Sequence, residues 1–199
     1  NQRVQFAEDA DLRALDIKNS PGGLAFRVRG AGQDFQIESS MFGEYNVYNA
    51  LAAIGATVNG LGVDPAAAQK GIAALEGVPG RMERIDLDQD FTTIVDFAHT
   101  PFALEAALKA GRQLTQGRLI AVFGSAGLRD KAKRRMMAEV SAELADITVL
   151  TAEDPRTESL EEILDEMAAG AEGKGGVEGE TVWRVPDRGA AISFALLQA

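Results

Sequence analysis

The first part of the chain alternates apolar and polar residues, which is the pattern of strands with one buried face. The alternation is clearest over residues 24–29 and 34–38. We interpret residues 3–39 as β structure, with turns at Pro21-Gly22-Gly23 and Gly30-Ala31-Gly32. The strands on either side of the second turn are predicted to form a hairpin with one face in water.

The pattern changes at residue 45, where apolar residues begin to recur every three or four positions. This spacing predicts an amphipathic helix over residues 45–61, capped by Glu44 or Asn46. A second helix is predicted to begin at Asp64-Pro65, because proline is tolerated in a first helical turn. The breakers at residues 77–80 then end this helical part of the chain.

From residue 91 onward, short apolar runs alternate with helical patterns. Runs such as residues 119–123 are apolar throughout, as in strands buried on both faces of a parallel sheet. We therefore predict an α/β fold with a Rossmann-like, mostly parallel sheet and flanking helices, preceded by a β-hairpin plus helices. The predicted strand and helix pairs are residues 91–96 with 101–114, 118–123 with 131–144, 147–150 with 159–167, and 181–185 with 187–197.

The composition of the chain excludes several classes of protein and several kinds of site. With 46% hydrophobic residues the chain can build a sizeable core, and its net charge of −10 argues against broad nucleic-acid binding. It has no cysteine and one histidine, which excludes disulfides, thiol catalysis and metal sites built from cysteines or several histidines. The sequence contains neither an apolar run of transmembrane length nor a secretory signal pattern. We expect a cytoplasmic protein that binds neither nucleic acid nor a membrane.

Polar residues that follow the predicted strands or sit on the first helix are candidates for ligand binding. Asp96 can accept from a ribose hydroxyl or cap the next helix, and His99 can contact a ligand or fix its loop. Asn46 and Asn49 lie three positions apart, so their amides can pair with a purine edge or cap the helix. Arg81 is either a solvated linker residue or a hinge residue that faces a ligand.

Two further loops follow apolar runs. In residues 124–130, glycines would let the backbone approach a ligand and Arg129 could grip a carboxylate or phosphate, although a plain glycine-rich turn explains the pattern equally. This loop is neither a P-loop nor a dinucleotide fingerprint. In the next loop, Glu153 and Asp154 could hold an ammonium while Arg156 holds a carboxylate; the alternative is a capped turn. The acidic residues over 158–166 are predicted to be a solvated helix surface.

Taken in order, these motifs resemble the Mur ligase family, most closely its MurE type, the UDP-N-acetylmuramoyl-tripeptide synthetases. The resemblance spans nearly the whole chain. Its motifs are Gly43-Glu44-Tyr45-Asn46-Val47-Tyr48-Asn49-Ala50-Leu51-Ala52-Ala53, Gly77-Val78-Pro79-Gly80-Arg81-Met82-Glu83-Arg84, Val95-Asp96-Phe97-Ala98-His99-Thr100-Pro101, Val122-Phe123-Gly124 with Arg129-Asp130 and Lys133-Arg134, and Asp154-Pro155-Arg156.

The resemblance implies an ATP-dependent ligase of peptidoglycan precursor synthesis that uses Mg²⁺. Such an enzyme adds a diamino acid (meso-diaminopimelate, lysine or ornithine) to UDP-N-acetylmuramoyl-L-Ala-D-Glu through an acyl phosphate. It implies that residues 1–82 end the central ATP-binding domain and that residues 83–199 form most of the C-terminal domain. The matching positions are Asn46, Asn49, Arg81, Asp96 and His99 for the nucleotide, and Arg129, Glu153, Asp154 and Arg156 for the amino acid.

The chain also departs from the family pattern. Diaminopimelate-adding members carry Asp-Asn-Pro-Arg where this chain has Glu153-Asp154-Pro155-Arg156, so Arg156 favours diaminopimelate and Asp154 favours lysine or ornithine. The family's phosphate-binding loop, modified-lysine segment and UDP-binding domain have no counterpart in these 199 residues. We expect a fragment without catalytic residues or metal ligands, inactive alone, from an active and monomeric parent enzyme. Two alternatives stay open, namely a folylpolyglutamate or cyanophycin synthase-like ligase and a non-catalytic nucleotide- or amino-acid-binding module.

Overall fold

The computed structural model describes residues 11–20 and 22–199. The chain divides into two compact units, with Phe97 at the end of the first and Ala98 at the start of the second. Residues 3–10 and Pro21, which the sequence assigns to β structure and a turn, lie outside the described residues.

An antiparallel sheet opens the first unit, with its strands in the order β1-β2-β3. These are β1 (Arg13–Ser20), β2 (Gly23–Gly30) and β3 (Gln33–Ser39). The turn between β2 and β3 places Ala31 and Gly32 at positive φ (47° and 77°), as a two-residue turn between right-twisted strands requires. Phe26 and Val28 are buried whereas Arg27 between them is exposed. The predicted hairpin with one face in water is confirmed.

Helices cover the buried face of this sheet. Helix α1 (Tyr45–Ile54) continues as a π-helical segment, Gly55–Gly60, and α2 (Pro65–Ala73) follows. Asp64 caps α2 by accepting a hydrogen bond from the Ala66 amide at 2.7 Å. Glu44 occupies the N-cap position of α1 without a side-chain hydrogen bond, so its predicted capping role is wrong. The core of the unit consists of Ala14, Leu24, Phe26, Val28, Ile37, Val47, Leu51, Ile54 and Val58.

A two-stranded antiparallel sheet ends the first unit, made of β4 (Glu83–Ile85) and β5 (Thr93–Val95). The sequence predicted residues 91–96 as the first strand of the parallel sheet, and this is a correction, because β5 pairs with β4 instead. The sequence missed β4 because two of its three residues, Glu83 and Arg84, are charged, and so short a run shows too little alternation to stand out.

The second unit alternates helices and strands and contains a parallel sheet in the order β6-β7-β8. Its elements are α3 (Pro101–Leu114), β6 (Ile120–Phe123), α4 (Ala132–Leu144), β7 (Ile147–Leu150), α5 (Leu160–Glu172), β8 (Val182–Arg184) and α6 (Arg188–Gln198). All four residues of β7 are buried, so the predicted α/β fold with a parallel sheet between helices is confirmed.

Helix α5 extends beyond its predicted end at residue 167 and runs to Glu172. Gly170 lies within α5 at the point where α5 packs against α4. A Cβ atom at Gly170 would lie 2.7 Å from the carbonyl oxygen of Arg135, so glycine permits this approach. Within the described part of the chain, no helix is long and apolar enough to cross a membrane.

Candidate functional site

Two loops at the carboxyl ends of β6 and β7 pack directly against each other. The amide of Gly127 donates a hydrogen bond to the carbonyl oxygen of Asp154 at 2.8 Å. A Cβ atom at Gly127 would lie 2.0 Å from the carbonyl oxygen of Pro155, and one at Gly124 would lie 2.3 Å from that of Thr151. Glycine is therefore required at both positions, because any side chain would collide with the facing backbone.

The segment after β8 joins the same edge of the sheet. The amide of Ala152 donates to the carbonyl oxygen of Pro186 at 3.2 Å. Arg188 returns a hydrogen bond from its guanidinium to the carbonyl oxygen of Ala152 at 3.1 Å. Three loops thus meet where the parallel strands end, the position at which α/β folds place ligands.

The four side chains predicted to bind the amino acid are exposed at this edge of the sheet. Arg156 lies with its Nε 3.6 Å from the carboxylate of Asp154, and its backbone amide donates to that carboxylate at 3.2 Å. Arg129 and Glu153 form no ion pair with any residue that the structure describes. The structure thus brings Asp154 and Arg156 together and leaves Arg129 and Glu153 open to solvent.

A buried arginine lies beneath these loops. Arg134 on α4 is 1% exposed and donates to the carboxylates of Glu158 at 2.8 Å and Glu166 at 2.9 Å. Burial alone would lower the pKa of Arg134, but the two carboxylates outweigh burial and raise it. The predicted solvated acidic surface over 158–166 is therefore wrong for Glu158, whose side chain is 17% exposed.

Glu158 links this ion pair to the first loop. Its Oε1 atom accepts a hydrogen bond from the Leu128 amide at 2.5 Å, while Oε2 faces Arg134. The Leu128 amide, followed by Arg134, lowers the pKa of the Glu158 carboxyl. Leu128 itself has a positive φ of 53°, a conformation that non-glycine residues rarely adopt without a fixed environment.

The asparagines predicted to face a nucleotide lie at the start of α1, in the first unit. Asn46 is buried and donates from Nδ2 to the carbonyl oxygen of Phe42 at 2.5 Å. Its Oδ1 accepts a hydrogen bond from Nδ2 of Asn49 at 2.9 Å. Asn46 is thus held within the protein and fixes Asn49, whose side chain is exposed. Asn46 does not cap α1, which corrects that alternative.

Arg81 and Asp96 lie near Tyr45 in the same unit. The Arg81 guanidinium stacks 4.4 Å from the centre of the Phe97 ring, which is 60% exposed. The Asp96 carboxylate accepts from the Met82 amide at 2.8 Å. Burial and then the Asp96 carboxylate raise the pKa of Tyr45 to about 12, against the opposing charge of Arg81.

A cavity of about 310 Å³ opens in the first unit beside these groups. Phe42, which accepts the hydrogen bond from Asn46, lines it together with Arg81 and Met82. Asn46, Arg81 and Asp96 are therefore each connected to this cavity, directly or through one hydrogen bond. His99, the fifth predicted nucleotide residue, is exposed at the start of the second unit.

Several residues of these sites escaped the sequence analysis. Tyr45 and Phe97 lie within quoted motifs, but nothing in their spacing indicates that they surround Arg81. Arg134 lies within a quoted motif and Glu158 was predicted to lie on a solvated surface, but nothing in the sequence indicates that the two form an ion pair with side chains 1% and 17% exposed. Among the described residues, no group of three or more potential metal ligands occurs.

Comparison with models of known protein families shows which family the chain belongs to. Residues 80–199 match the family model of the Mur ligase glutamate ligase domain. The chain belongs to the Mur ligase family. Residues 3–57 match the Mur ligase middle domain as well. The resemblance predicted from the ordered motifs is confirmed.

Curated relatives of this Mur ligase chain carry related names. A UDP-N-acetylmuramyl-tripeptide synthetase of Roseiflexus sp. is 44% identical over 100% of the chain and 39% of its own length. A UDP-N-acetylmuramoyl-L-alanyl-D-glutamate–2,6-diaminopimelate ligase of Trichormus variabilis is 43% identical over 96% of the chain and 38% of its own length. The chain thus spans about two fifths of the length of these relatives.

Solved structures agree with this Mur ligase assignment. The structure of a UDP-N-acetylmuramoyl-L-alanyl-D-glutamate–2,6-diaminopimelate ligase is 35% identical with a TM-score of 0.60, covering 97% of this chain and 38% of that one. The folylpolyglutamate synthase of Mycobacterium tuberculosis is 22% identical with a TM-score of 0.78, over 96% and 41%. This second likeness shows a shared fold.

Proposed function

We propose that this chain is part of an ATP-dependent ligase that joins a diamino acid to UDP-N-acetylmuramoyl-L-Ala-D-Glu. The diamino acid is meso-diaminopimelate, lysine or ornithine. The names of relatives at 43% and 44% identity support this proposal. In it, residues 1–82 end the central ATP-binding domain and residues 83–199 belong to the C-terminal domain, in keeping with the family model that begins at residue 80.

The observation that carries the proposal is the pair of interlocked loops after β6 and β7. They present Arg129 and Arg156 together with Glu153 and Asp154, on backbone held by the contact of Gly127 with Asp154 at 2.8 Å. A guanidinium matches a carboxylate in a planar, bidentate geometry, and an acid attracts an ammonium group. These are the two kinds of charge that an amino acid carries.

The nucleotide is assigned to the other group of residues. Asn49, oriented by Asn46 at 2.9 Å, offers an exposed amide that can pair with a purine edge. Arg81 on Phe97 offers a flat cationic surface beside the cavity of about 310 Å³. Asp96 can accept from a ribose hydroxyl, and His99 follows it three residues later.

The proposed reaction proceeds in two steps. A carboxylate of the muramyl peptide takes the γ-phosphoryl group of ATP, which releases ADP and leaves an acyl phosphate. The amine of the diamino acid, having lost its proton, attacks the acyl carbon, and phosphate leaves as the amide forms. The role of this chain is to orient the nucleotide and the amine relative to the reacting carboxylate.

The proposal includes Mg²⁺ for the whole enzyme, where it would offset the charge of the phosphates. The described residues offer it no cluster of ligands, so no step is assigned to a metal ligand of this chain. The whole enzyme is proposed to be a cytoplasmic monomer, and the 199 residues alone are proposed to be inactive.

A ligase assay on the whole protein tests the proposal. The protein is incubated with ATP, Mg²⁺, UDP-N-acetylmuramoyl-L-Ala-D-Glu and each diamino acid in turn, and the product is identified by its mass. The expected result is a tripeptide product with ADP and phosphate released in equal amounts. Absence of product with every diamino acid, despite binding of ATP, would favour a non-catalytic binding module.

A further inference from the structure

The buried ion cluster beneath the loops has no part in the function proposed so far. Arg134, 1% exposed, is paired with two carboxylates, at 2.8 Å and 2.9 Å. Removing the Arg134 guanidinium from water is costly, since its partners Glu158 and Glu166 are only partly buried, at 17% and 40% exposed, and replacing such a buried charge by an apolar residue is often neutral or stabilising. Stabilisation of the fold is therefore a weak explanation for the cluster, and its contacts with the loops offer a stronger one.

The cluster touches both interlocked loops. Glu158 ends the second loop and accepts from the Leu128 amide of the first loop at 2.5 Å. Arg134 also donates to the carbonyl oxygen of Ala126 at 3.5 Å. Leu128 directly precedes Arg129, and its positive φ of 53° depends on a fixed amide direction. The cluster thus sets the backbone from which Arg129 projects.

Glu158 and Glu166 both pair with Arg134, but Glu158 is less exposed, at 17% against 40%, and also lies 3.7 Å from the ammonium group of the exposed Lys131. Each places a carboxylate within 2.9 Å of Arg134, so each removes about the same charge from the cluster when deleted. Only Glu158 also receives a hydrogen bond from the first loop. Comparing the removal of Glu158 with the removal of Glu166 therefore separates the effect of losing an ion pair from the effect of losing the contact with the first loop.

We propose that Arg134 and Glu158 are positioning residues for amino-acid binding. They hold the two loops in the register that directs Arg129 and Arg156 toward the substrate carboxylate. Neither touches the substrate, and both act through the backbone of the loops. The inference rests on the proposed ligase function, since it assumes that these loops bind the amino acid.

The test compares Glu158→Ala with Glu166→Ala in the whole protein. Glu158→Ala is expected to raise the KM for the diamino acid about tenfold, because small misplacements of binding groups have large effects. Glu166→Ala is expected to change it less than about twofold, and the KM for ATP should stay constant in both variants. Equal changes in the two variants, or an equal rise in the KM for ATP, would overturn the proposal.

Hydrogen exchange provides a readout that does not depend on activity. The peptide containing Leu128 should exchange its amide hydrogens faster in Glu158→Ala than in the unsubstituted protein. In Glu166→Ala it should exchange them at the same rate as in the unsubstituted protein. If Glu158→Ala fails to fold, Glu158→Met keeps a side chain of similar length without an oxygen that could accept from the Leu128 amide, and it is measured in the same way. If Glu158→Ala exchanges faster but the whole protein makes no tripeptide product, the ligase function is refuted and the positioning role stands. Unchanged exchange in Glu158→Ala would refute the positioning role.

Discussion

Gly127 and Pro155 lie so close that a Cβ atom at Gly127 would be 2.0 Å from the carbonyl oxygen of Pro155. The two residues belong to different loops, one after β6 and one after β7. Their contact fixes the spacing between the loops that carry Arg129 and Arg156. The amino-acid site proposed for this chain therefore depends on backbone packing as much as on its charged side chains.

Gly127→Ala should destabilise the second unit by about 1–3 kcal/mol, because the facing backbone must shift to admit the methyl group. Denaturant unfolding followed by the fluorescence of Trp183, the one tryptophan of the chain, measures this loss. Gly117→Ala is the matched control, since a Cβ atom there meets only the Thr115 hydroxyl at 3.5 Å. Equal stability of the two variants would contradict the close packing of the loops.

The contact between these loops illustrates what the sequence could not predict. The sequence predicts that these glycines either let the backbone approach a ligand or form a plain turn, and a neighbouring loop leaves the same local pattern. The hydrogen bond of 2.8 Å from the Gly127 amide to the Asp154 carbonyl oxygen joins residues that are far apart in the sequence. A single sequence gives no information on which residues of two separate loops meet. The residue types of the site could be predicted, and their pairing could not.

Arg156 and Asp154 lead to a second prediction, which concerns substrate choice. The Asp154 carboxylate lies 3.6 Å from Arg156 and competes with a substrate carboxylate for it. Asp154→Asn also removes one of the two acids proposed to attract the ammonium group, a loss that meso-diaminopimelate and lysine share. The released Arg156 should favour only meso-diaminopimelate, which carries a second carboxylate. The ratio of the KM for meso-diaminopimelate to the KM for lysine should therefore fall by about two- to fivefold, as expected for an exposed ion pair. Steady-state kinetics with both amino acids measures the difference.

The control for this substitution is Glu161→Gln, which removes an exposed acid from the first turn of α5. It changes the net charge by the same amount and lies outside the loop. If both substitutions shift the two KM values equally, the effect comes from overall charge and the competition between Asp154 and substrate is excluded.

Tyr45 provides a pH-dependent test of the first unit. Burial and then Asp96 raise its pKa from 10.0 to about 12. The folded protein therefore keeps this proton where the unfolded chain loses it, and stability should fall as the pH rises from about 10 to about 12. The phenolate absorbance of the protein minus that of Tyr45→Phe should therefore appear with a midpoint near pH 12.

Asp96→Asn is a useful companion variant for this titration. It removes one of the charges that raise the pKa of Tyr45, so the midpoint should move down while burial still holds it above its ordinary value. A midpoint that Asp96→Asn leaves unchanged would contradict the proximity of Tyr45 and Asp96.

The fold was easier to predict than the site because it follows from periodicity. The strand predicted over residues 147–150 became β7 with the predicted bounds. In contrast, β5 lies in an antiparallel pair with β4, and the partner of a three-residue strand is chosen by tertiary packing. The run Lys133-Arg134-Arg135 looks uniformly exposed, yet Arg134 is 1% exposed and Arg135 pairs with Glu139 on the surface.

The central claim is that the nucleotide binds beside Arg81 and that the amino acid binds beside Arg156. Steady-state kinetics of Arg156→Ala and Arg81→Ala in the whole protein test it most directly, with the exposed Arg118→Ala as control. We predict that Arg156→Ala raises the KM for the amino acid about tenfold and leaves the KM for ATP unchanged. Arg81→Ala should raise the KM for ATP about tenfold and leave the KM for the amino acid unchanged. An unchanged amino-acid KM in Arg156→Ala would contradict the account.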